Sequence, residues 1–414
     1  MEADVLVLGA GMVGISCALH LQARGRQVVV LDRRGPGEET SFGNAGIVQR
    51  EAIKPYRFPR AASRILSVLG NRRSDVRYHA RALLPLAAPL WRYYHHSATP
   101  RWQRISRDYA SLIAMSVDTH QQLMDEAQAH ALLGPRGWLM LLRSEAGRDE
   151  AFAEADLAQE WGVQHRKLDT AALAALEPAL QEKMAGAVWW QDPLTVRDPG
   201  ALVQAYAALF TQRGGTLTLG DATTLTRNKG RWQVVDSQQR VIRAREVVVA
   251  LGPWSTQLTQ GYGYRPPLFV KRGYHQHYRP LDGKTLNHWI MDEERGYLVA
   301  PMARGLRITT GAELAGLDAP ATPRQLQMVE RFARDLVPMG EAVQETVWKG
   351  ARPCMPDMKP VIGAAPGVEG MWCAFGHGHQ GFTLGPATGL LLAQLMTGEK
   401  PATDTSPFRA DRAF

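Results

Sequence analysis

Residues 4–32, DVLVLGAGMVGISCALHLQARGRQVVVLD, decide the fold of the N-terminal part of the chain. An apolar run enters a glycine turn of the pattern GxGxxG, a helical pattern follows, and a second apolar run ends at Asp32. In such a unit Gly9 permits the tight turn, Gly11 lets the backbone approach a pyrophosphate, and Gly14 lets helix and strand pack closely. The stretch therefore predicts a strand–helix–strand unit that binds the ADP half of NAD or FAD. The residues assigned to this half are Gly9, Gly11, Met12, Val13, Gly14, Asp32 and Arg33.

Length and composition are those of an ordinary globular protein. The 414 residues are 45% hydrophobic and 21% charged, which predicts two or three structural units and excludes a disordered chain. The formal charge of +8 is spread thinly, and its densest clusters, Arg33–Arg34 and Arg72–Arg73, are too short for a nucleic-acid-binding tail. The three cysteines lie far apart, so neither a disulfide framework nor a metal site is expected. With no evident export signal or bilayer-spanning segment, we expect a cytoplasmic protein.

Beyond the first unit, the hydrophobic periodicity predicts a helical region and then a return to mixed structure. Residues 50–185 have helical spacing with breaks at prolines, residues 187–199 read as an irregular crossover, and 268–314 contain strand patterns of an antiparallel sheet. The fold class is therefore α/β, or α+β overall. The predicted helices are 106–129, 150–162, 169–176, 200–213, 323–336 and a C-terminal helix that follows a glycine-rich turn at 376–381; further strands are 216–219, 232–235, 246–251 and 371–375.

Two glycine-rich segments favour FAD over NAD. The segment SFGNAGI, residues 41–47, has small residues that let the backbone lie against a flat ring. The segment AFGHGHQGFTLG, residues 374–385, places a glycine-rich turn before a helix whose N-terminus would stabilise a reduced flavin anion, although an ordinary strand–turn–helix connection is the alternative. The residues assigned to the flavin are Ser41, Asn44, Ala45, Gly46, Ile47, Gly378, His379, Gln380, Gly381, Phe382 and Thr383.

With these segments the chain resembles the D-amino-acid oxidase-like flavoproteins, which include glycine oxidase, sarcosine oxidase and the bacterial D-amino-acid dehydrogenases. The resemblance also rests on VVVALGPWS at 247–255, with Gly252 at the cofactor, and on GARPCMPDMKPVIG at 350–363. It implies a Rossmann-type FAD-binding domain assembled from residues 1–54, 186–255 and 345–414. It also implies an inserted substrate domain, formed by 55–185 with a helical insert and by 256–344, that contains the antiparallel sheet. The SFGNAG string is most similar to the dehydrogenase branch.

The resemblance also implies a chemistry and a set of site residues. Members of the family oxidise the carbon–nitrogen bond of an amino acid or secondary amine by hydride transfer from the α-carbon to flavin N5. Arg352 falls where family members bind the substrate carboxylate, and Tyr297 where a tyrosine hydroxyl supports the same carboxylate. His379 is expected at the substrate or flavin carbonyl, whereas Arg272 and Tyr274 are expected on a strand face that lines the pocket, with Arg272 as a second carboxylate partner. Because no cysteine lies at the covalent attachment position, the FAD is expected to be non-covalent.

The expected activity is FAD-dependent dehydrogenation of a D-amino acid or a cyclic D-imino acid such as D-proline or D-hydroxyproline. The expected electron acceptor is a quinone or another carrier, and the positive charge is compatible with peripheral contact with the inner face of an anionic membrane. Two alternatives remain open: a secondary-amine oxidase of the glycine or sarcosine oxidase type, and an FAD subunit of a larger dehydrogenase complex. A carboxylate clamp at Arg352 argues against a non-catalytic subunit.

Overall fold

The computed structural model describes every residue from Met1 to Phe414 and contains eleven helices and twenty-one strands. The helices are α1 Met12–Gln22, α2 Ala62–Leu69, α3 Ala80–His96, α4 Thr99–Ile113, α5 Ser116–Glu126, α6 Glu145–Gln159, α7 Thr170–Leu176, α8 Pro199–Gln212, α9 Ser255–Thr259, α10 Arg324–Leu336 and α11 Gly381–Thr397. The strands are β1 Glu2–Leu8, β2 Val28–Asp32, β3 Ile47–Val48, β4 Val76–Tyr78, β5 Trp138–Leu142, β6 His165–Leu168, β7 Gly186–Trp190, β8 Leu194–Thr195, β9 Thr216–Leu219, β10 Thr226–Asn228, β11 Arg231–Val235, β12 Val241–Val249, β13 Phe269–Pro280, β14 Trp289–Asp292, β15 Tyr297–Met302, β16 Gly305–Thr310, β17 Ala312–Leu314, β18 Met339–Ala342, β19 Trp348–Cys354, β20 Val361–Ala364 and β21 Met371–Phe375.

An eight-stranded sheet carries the N-terminal unit. Its central strands run parallel in the order β21, β12, β1, β2, β9, so the first and last segments of the chain meet in one sheet. The middle strands β1 and β2 are mostly apolar, because both faces of a parallel sheet are buried. One face packs against α1, α8 and α11, and the other packs against residues such as Leu258 and Tyr264. Helix α1 packs against α11, which brings the glycine turn and the C-terminal turn to the same end of the sheet.

An eleven-stranded sheet, centred on the long strand β13, forms the second part of the protein. Strand β13 pairs antiparallel with β16 and β19, and β15 pairs antiparallel with β14 and β16, as the strand patterns at 268–314 predict. One face of this sheet packs against α10, and the other face packs with the core that contains α1 and α11. The predicted α/β class is confirmed.

Three local expectations were wrong. The single helix expected at 106–129 is divided into α4 and α5, where the Ser116 hydroxyl donates to the carbonyl of Gln49 at 3.2 Å and anchors the start of α5. Pro85 and Pro89 do not break the helical region but lie inside α3. Pro85 is exposed, so water can serve the carbonyl group that lacks its helical donor. The crossover expected at 187–199 contains β7, which pairs with both β5 and β6.

Two strands of the larger sheet lie within segments that the sequence assigns to the FAD-binding domain. These strands are β7, which pairs with β5 and β6, and β19, which pairs with β13 along seven residue pairs. We therefore propose that the substrate domain includes both strands, with the other boundaries as expected. No helix of this chain combines the length and apolar character needed to cross a bilayer.

Candidate active site

A cavity of about 940 Å³ is lined by both sheets. Its volume lies at the upper end of the roughly 300–1,000 Å³ that is usual for cofactor and small-molecule sites. The sequence-predicted residues that line it are Gly9, Gly11, Met12, Val13, Asp32, Arg33, Ser41, Asn44, Ala45, Ile47, Gly252, Tyr274, Tyr297, Arg352, Gly378, His379, Gly381 and Phe382. Those outside the lining are Gly14, Gly46, Arg272, Gln380 and Thr383.

The glycines at the end of β1 allow the turn to pack tightly against the neighbouring backbone. A Cβ atom at Gly14 would collide with the carbonyl oxygen of Gly9, and a Cβ atom at Gly9, whose φ is +109°, would collide with that of Ala250. The turn is therefore compact, and Gly9 and Gly11 line the cavity with backbone atoms alone. The first helical turn of α1 follows at once, and its N–H groups would bind a phosphate.

Asp32, at the end of β2, fixes this turn and faces the cavity. Its carboxylate accepts hydrogen bonds from the amides of Ala10 at 2.6 Å and Arg34 at 3.0 Å. Burial nevertheless raises the pKa of Asp32 above its ordinary value. The carboxylate thus holds the turn in place beside the position where a ribose diol would lie. Arg33, the next residue, lies over the Trp254 ring at 4.0 Å.

The segment 41–47 is held by side chains that the sequence reasoning did not identify. The Arg307 guanidinium on β16 donates to the carbonyls of Asn44 at 2.6 Å and Phe42 at 3.2 Å, and Trp289 donates to that of Ala45 at 2.8 Å. Trp348 lies so close to Gly43 that a Cβ atom there would overlap its ring. No sequence motif distinguishes Arg307, Trp289 or Trp348 from other strand residues. Their contacts with this segment could therefore not be predicted from the sequence.

Other predicted cofactor residues hold the segments that border the cavity in place. The Ser41 hydroxyl accepts from the amide of Met12 at 3.0 Å, so Ser41 lies at the first turn of α1. The Asn44 side chain accepts from the amide of Gly46 at 2.8 Å and closes a local turn. Gln380 donates to the Gln49 side chain at 2.5 Å. Thr383 likewise donates to the carbonyl of Ile47 at 3.2 Å, which ties α11 to the loop after β2.

Arg352 presents a positive charge without an acidic partner. Its guanidinium donates to the carbonyls of Gly311 at 2.9 Å, Thr310 at 3.2 Å and Arg272 at 3.3 Å, and no carboxylate lies within ion-pair distance. Burial lowers the pKa of Arg352, although a guanidinium stays charged at neutral pH. Three carbonyls therefore orient the Arg352 guanidinium, and its positive charge is available to bind an anion.

Several residues around Arg352 form a pocket, and only some of them were predicted from the sequence. Lys271 is the cross-strand neighbour of Arg352, and its ammonium donates to the Tyr93 hydroxyl at 3.2 Å. The predicted residue His379 packs against Tyr56, with 4.9 Å between ring centroids. Burial, with a smaller contribution from the Arg352 and Lys271 charges, lowers the pKa of His379 to about 3. His379 is therefore neutral at physiological pH and can accept a hydrogen bond.

The predicted residues Arg272, Tyr274 and Tyr297 do not join this pocket through their functional groups. Arg272 is fully buried and donates to Glu313 at 2.6 Å and to three carbonyls, so the structure does not offer it to a substrate carboxylate. The Tyr274 hydroxyl donates to the same Glu313 at 2.7 Å. Tyr297 borders the cavity, but its ring packs in the core on the α10 face of the sheet, and its hydroxyl has no hydrogen-bond partner.

Strand alternation explains this placement, because neighbouring residues of a strand point to opposite faces. On β13 the side chain of Lys271 shares the cavity face with Gly273, against which the Arg352 guanidinium lies. On β15 Leu298 packs with the core on the cavity side, one residue after Tyr297. For Arg272, Tyr274 and Tyr297 the sequence resemblance located the right strands but not the direction of the functional groups.

Comparisons with known proteins agree with a flavin site. Residues 4–395 match the family model described as FAD dependent oxidoreductase. The chain is 29% identical to a D-amino acid dehydrogenase of Chromohalobacter salexigens over 97% of both chains, and 30% identical to one of Methylobacterium sp. (strain 4-46) over 99% of both. In fold it is similar to the glycine oxidase of Geobacillus kaustophilus, with a TM-score of 0.77 and 21% identity over 100% of this chain and 99% of that one.

The residues present fit FAD. Gly9 and Gly11 line the cavity at the N-terminus of α1, where a phosphate would bind, Asp32 lines it beside them, and Gly43 lines it against the Trp348 ring. The glycine turn, the cavity between two sheets and the match along almost the whole chain lead to one conclusion. The chain belongs to the FAD-dependent oxidoreductase family, with FAD as its cofactor.

Proposed function

We propose that this enzyme dehydrogenates a D-amino acid or a cyclic D-imino acid. The observation that carries the proposal is Arg352, a cavity-lining guanidinium that is oriented by carbonyls and lacks an acidic partner. A guanidinium fork matches a carboxylate through two parallel hydrogen bonds. The curated relatives that share the full length of this chain are D-amino acid dehydrogenases, which supports the same substrate class.

The residues around Arg352 provide what the reaction needs. Arg352 fixes the carboxylate, and neutral His379 accepts a hydrogen bond from the amine, which orients the nitrogen lone pair. When bound, FAD accepts the hydride that leaves the α-carbon. The ammonium group of the substrate first loses a proton to solvent. The nitrogen lone pair then forms the new carbon–nitrogen double bond as the hydride departs. The resulting iminium loses a second proton to solvent, and water later hydrolyses the imine of a primary amine.

The same fixed points explain why only one enantiomer would react and where its side chain would lie, and the relatives support the D-enantiomer. With the carboxylate at Arg352 and the amine at His379, one enantiomer directs its α-hydrogen at the cofactor. The side chain then lies among apolar residues of the cavity wall, such as Met291, Leu298 and Phe58. This wall favours an apolar or cyclic substrate over glycine. The similarity in fold to a glycine oxidase makes glycine oxidation the second candidate.

We further propose that the electrons pass to a quinone at a membrane rather than to oxygen. The cavity is lined by Ile65, Val68 and Leu69 of α2 and by Leu83 and Leu90 of α3. Because Leu69 and Leu83 are also exposed to solvent, we place the mouth of the cavity between these two helices. An apolar mouth admits a lipophilic ring more readily than a charged carrier. The location that suits this acceptor is the inner face of the membrane.

Anaerobic bleaching of the bound flavin tests the proposal. D-amino acids, D-proline, D-hydroxyproline, sarcosine, glycine and the L-enantiomers are each mixed with the yellow enzyme under argon. We expect bleaching by D-substrates, slow recovery of colour in air and fast recovery with a quinone. Rapid peroxide formation in air would favour the oxidase alternative, and bleaching by L-enantiomers alone would refute the assigned hand.

A further inference from the structure

The positive charge of the chain is concentrated in one segment, contrary to the expectation that it is spread thinly. Residues 52–107 contain twelve Lys and Arg residues and a single acid, Asp75, which gives the segment a formal charge of +11. Since the whole chain carries +8, the remainder carries a formal charge of −3. Asp75 is itself paired with Arg64 and Arg73, so the segment has no free acid.

The same segment exposes large apolar side chains. Helix α2 has no buried residue, and its Leu66 and Leu69 are 65% and 62% exposed. Helix α3 buries only two of its seventeen residues, and its Leu84 and Trp91 are 86% and 68% exposed. Leu84 and Trp91 are seven residues apart, which places them on one side of the helix. Of the twelve exposed large apolar residues of the protein, five lie on these two helices.

This surface is continuous with the mouth of the cavity. Leu69 and Leu83 line the cavity and are also exposed to solvent, by 62% and 39%. The exposed arginines Arg60, Arg72, Arg81 and Arg92 lie on or beside the two helices. The combination of exposed leucines, a tryptophan and arginines is that of a helix pair that lies in the headgroup region of an anionic bilayer.

We propose that helices α2 and α3 form a docking surface for an anionic lipid bilayer, which seats the cavity mouth against the membrane. The leucines and Trp91 enter the boundary between headgroups and acyl chains, and the arginines bind lipid phosphates. This inference rests on the proposed quinone acceptor for its role, because a lipophilic quinone would then enter the cavity directly from the bilayer. The charge of the surface distinguishes a bilayer from a second copy of the chain, since two such surfaces would repel each other.

Vesicle sedimentation of the holoenzyme tests the surface itself. Vesicles of phosphatidylcholine alone and of phosphatidylcholine with phosphatidylglycerol are compared at low and high salt. We expect binding to the anionic vesicles that weakens with salt. The double variants Leu84→Ser/Trp91→Ser and Arg81→Glu/Arg92→Glu should each weaken it at least about tenfold. None of these four residues lines the cavity, so turnover with a soluble dye should be unchanged.

Matched variants separate this surface from general effects of charge or apolar exposure. Leu157→Ser/Leu219→Ser alters two other exposed leucines, and Arg265→Glu/Arg331→Glu alters two exposed arginines elsewhere. Both controls should bind vesicles as the parent enzyme does. Equal loss in the control and test variants, binding indifferent to lipid charge, or a dimer that the Leu84→Ser/Trp91→Ser variant abolishes would each overturn the proposal. Because vesicle binding is measured without substrate, a failure of the proposed amino-acid chemistry would be recognised separately.

Discussion

At the scale of single residues, Arg352 has the clearest chemical role. Arg352→Lys keeps the positive charge but loses the two-pronged geometry. The loss of one charge-assisted hydrogen bond costs about 1.5–3 kcal/mol, which corresponds to roughly a ten- to hundredfold fall in kcat/KM. The FAD content should equal that of the parent enzyme. Dye-coupled kinetics measure kcat/KM, and the flavin absorbance measures the FAD content. An unchanged kcat/KM with a carboxylate substrate would remove Arg352 from the site.

Tyr297 provides the opposite case on a neighbouring strand. Its hydroxyl has no hydrogen-bond partner and its ring packs on the α10 face of the sheet. Tyr297→Phe should therefore leave the KM for the amino acid within about twofold, because no carboxylate contact is lost. The melting temperature should not fall, since no hydrogen bond is removed. A KM increase similar to that of Arg352→Lys would restore the carboxylate role that the sequence suggested.

Glu51 makes the stability of the enzyme depend on pH. Burial raises its pKa from 4.5 to about 7, although Gln49 and Trp138 donate to its carboxylate at 2.6 and 3.0 Å. The unfolded chain therefore releases this proton more readily, and stability is lost as pH rises from about 4.5 to about 7. Glu51→Gln should raise the melting temperature of the holoenzyme at pH 8 and leave it unchanged at pH 4. The exposed Glu160→Gln should change neither value, and an equal gain at both pH values would contradict this account.

At the scale of elements, strand β16 holds the cofactor loop between β2 and β3. Arg307→Met removes two hydrogen bonds to the carbonyls of Phe42 and Asn44. At about 1 kcal/mol for each of these two bonds, the Kd for FAD should rise by up to roughly thirtyfold. The measurement is the recovery of free-flavin fluorescence on dilution. Arg304→Met is the matched control, because the exposed Arg304 lies over the Phe42 ring at 5.3 Å without bonding the loop backbone. The same Kd in both variants would show that the carbonyl contacts do not hold the loop.

The sequence predicted elements better than it predicted which faces they present. The glycine turn, Asp32 and the strands around 268–314 follow from local patterns, because backbone sterics and side-chain alternation leave few alternatives there. Tyr297 and Leu298 are adjacent, and only the pairing of β15 with its neighbours decides which of them faces the cavity. The sequence did not reveal the roles of Arg307, Trp289 and Lys271, because their hydrogen-bond partners lie far away along the chain.

At the scale of the whole molecule, the cofactor should be removable. Cys354 is the one cysteine that lines the cavity, and burial raises its pKa, which keeps the thiol protonated and weakly nucleophilic at neutral pH. Acid precipitation should therefore release intact FAD into the supernatant. Colour that remains in the washed pellet would show a covalent link. Because a ligand that binds only the folded state stabilises it, the apoprotein should melt at a lower temperature, and added FAD should restore the value.

The concentration of charge in residues 52–107 also makes the charge distribution of the molecule uneven. This segment carries a formal +11 and the remainder of the chain carries −3, although the total charge would suggest an evenly basic protein. On a negatively charged carbon or sulfonated support, we expect the enzyme to adsorb with the cavity mouth toward the surface, which suits electron collection by an electrode. On an amine-coated support it should adsorb in the reverse orientation and leave the mouth open to dissolved mediators. The choice of support would then decide which partner can reach the flavin.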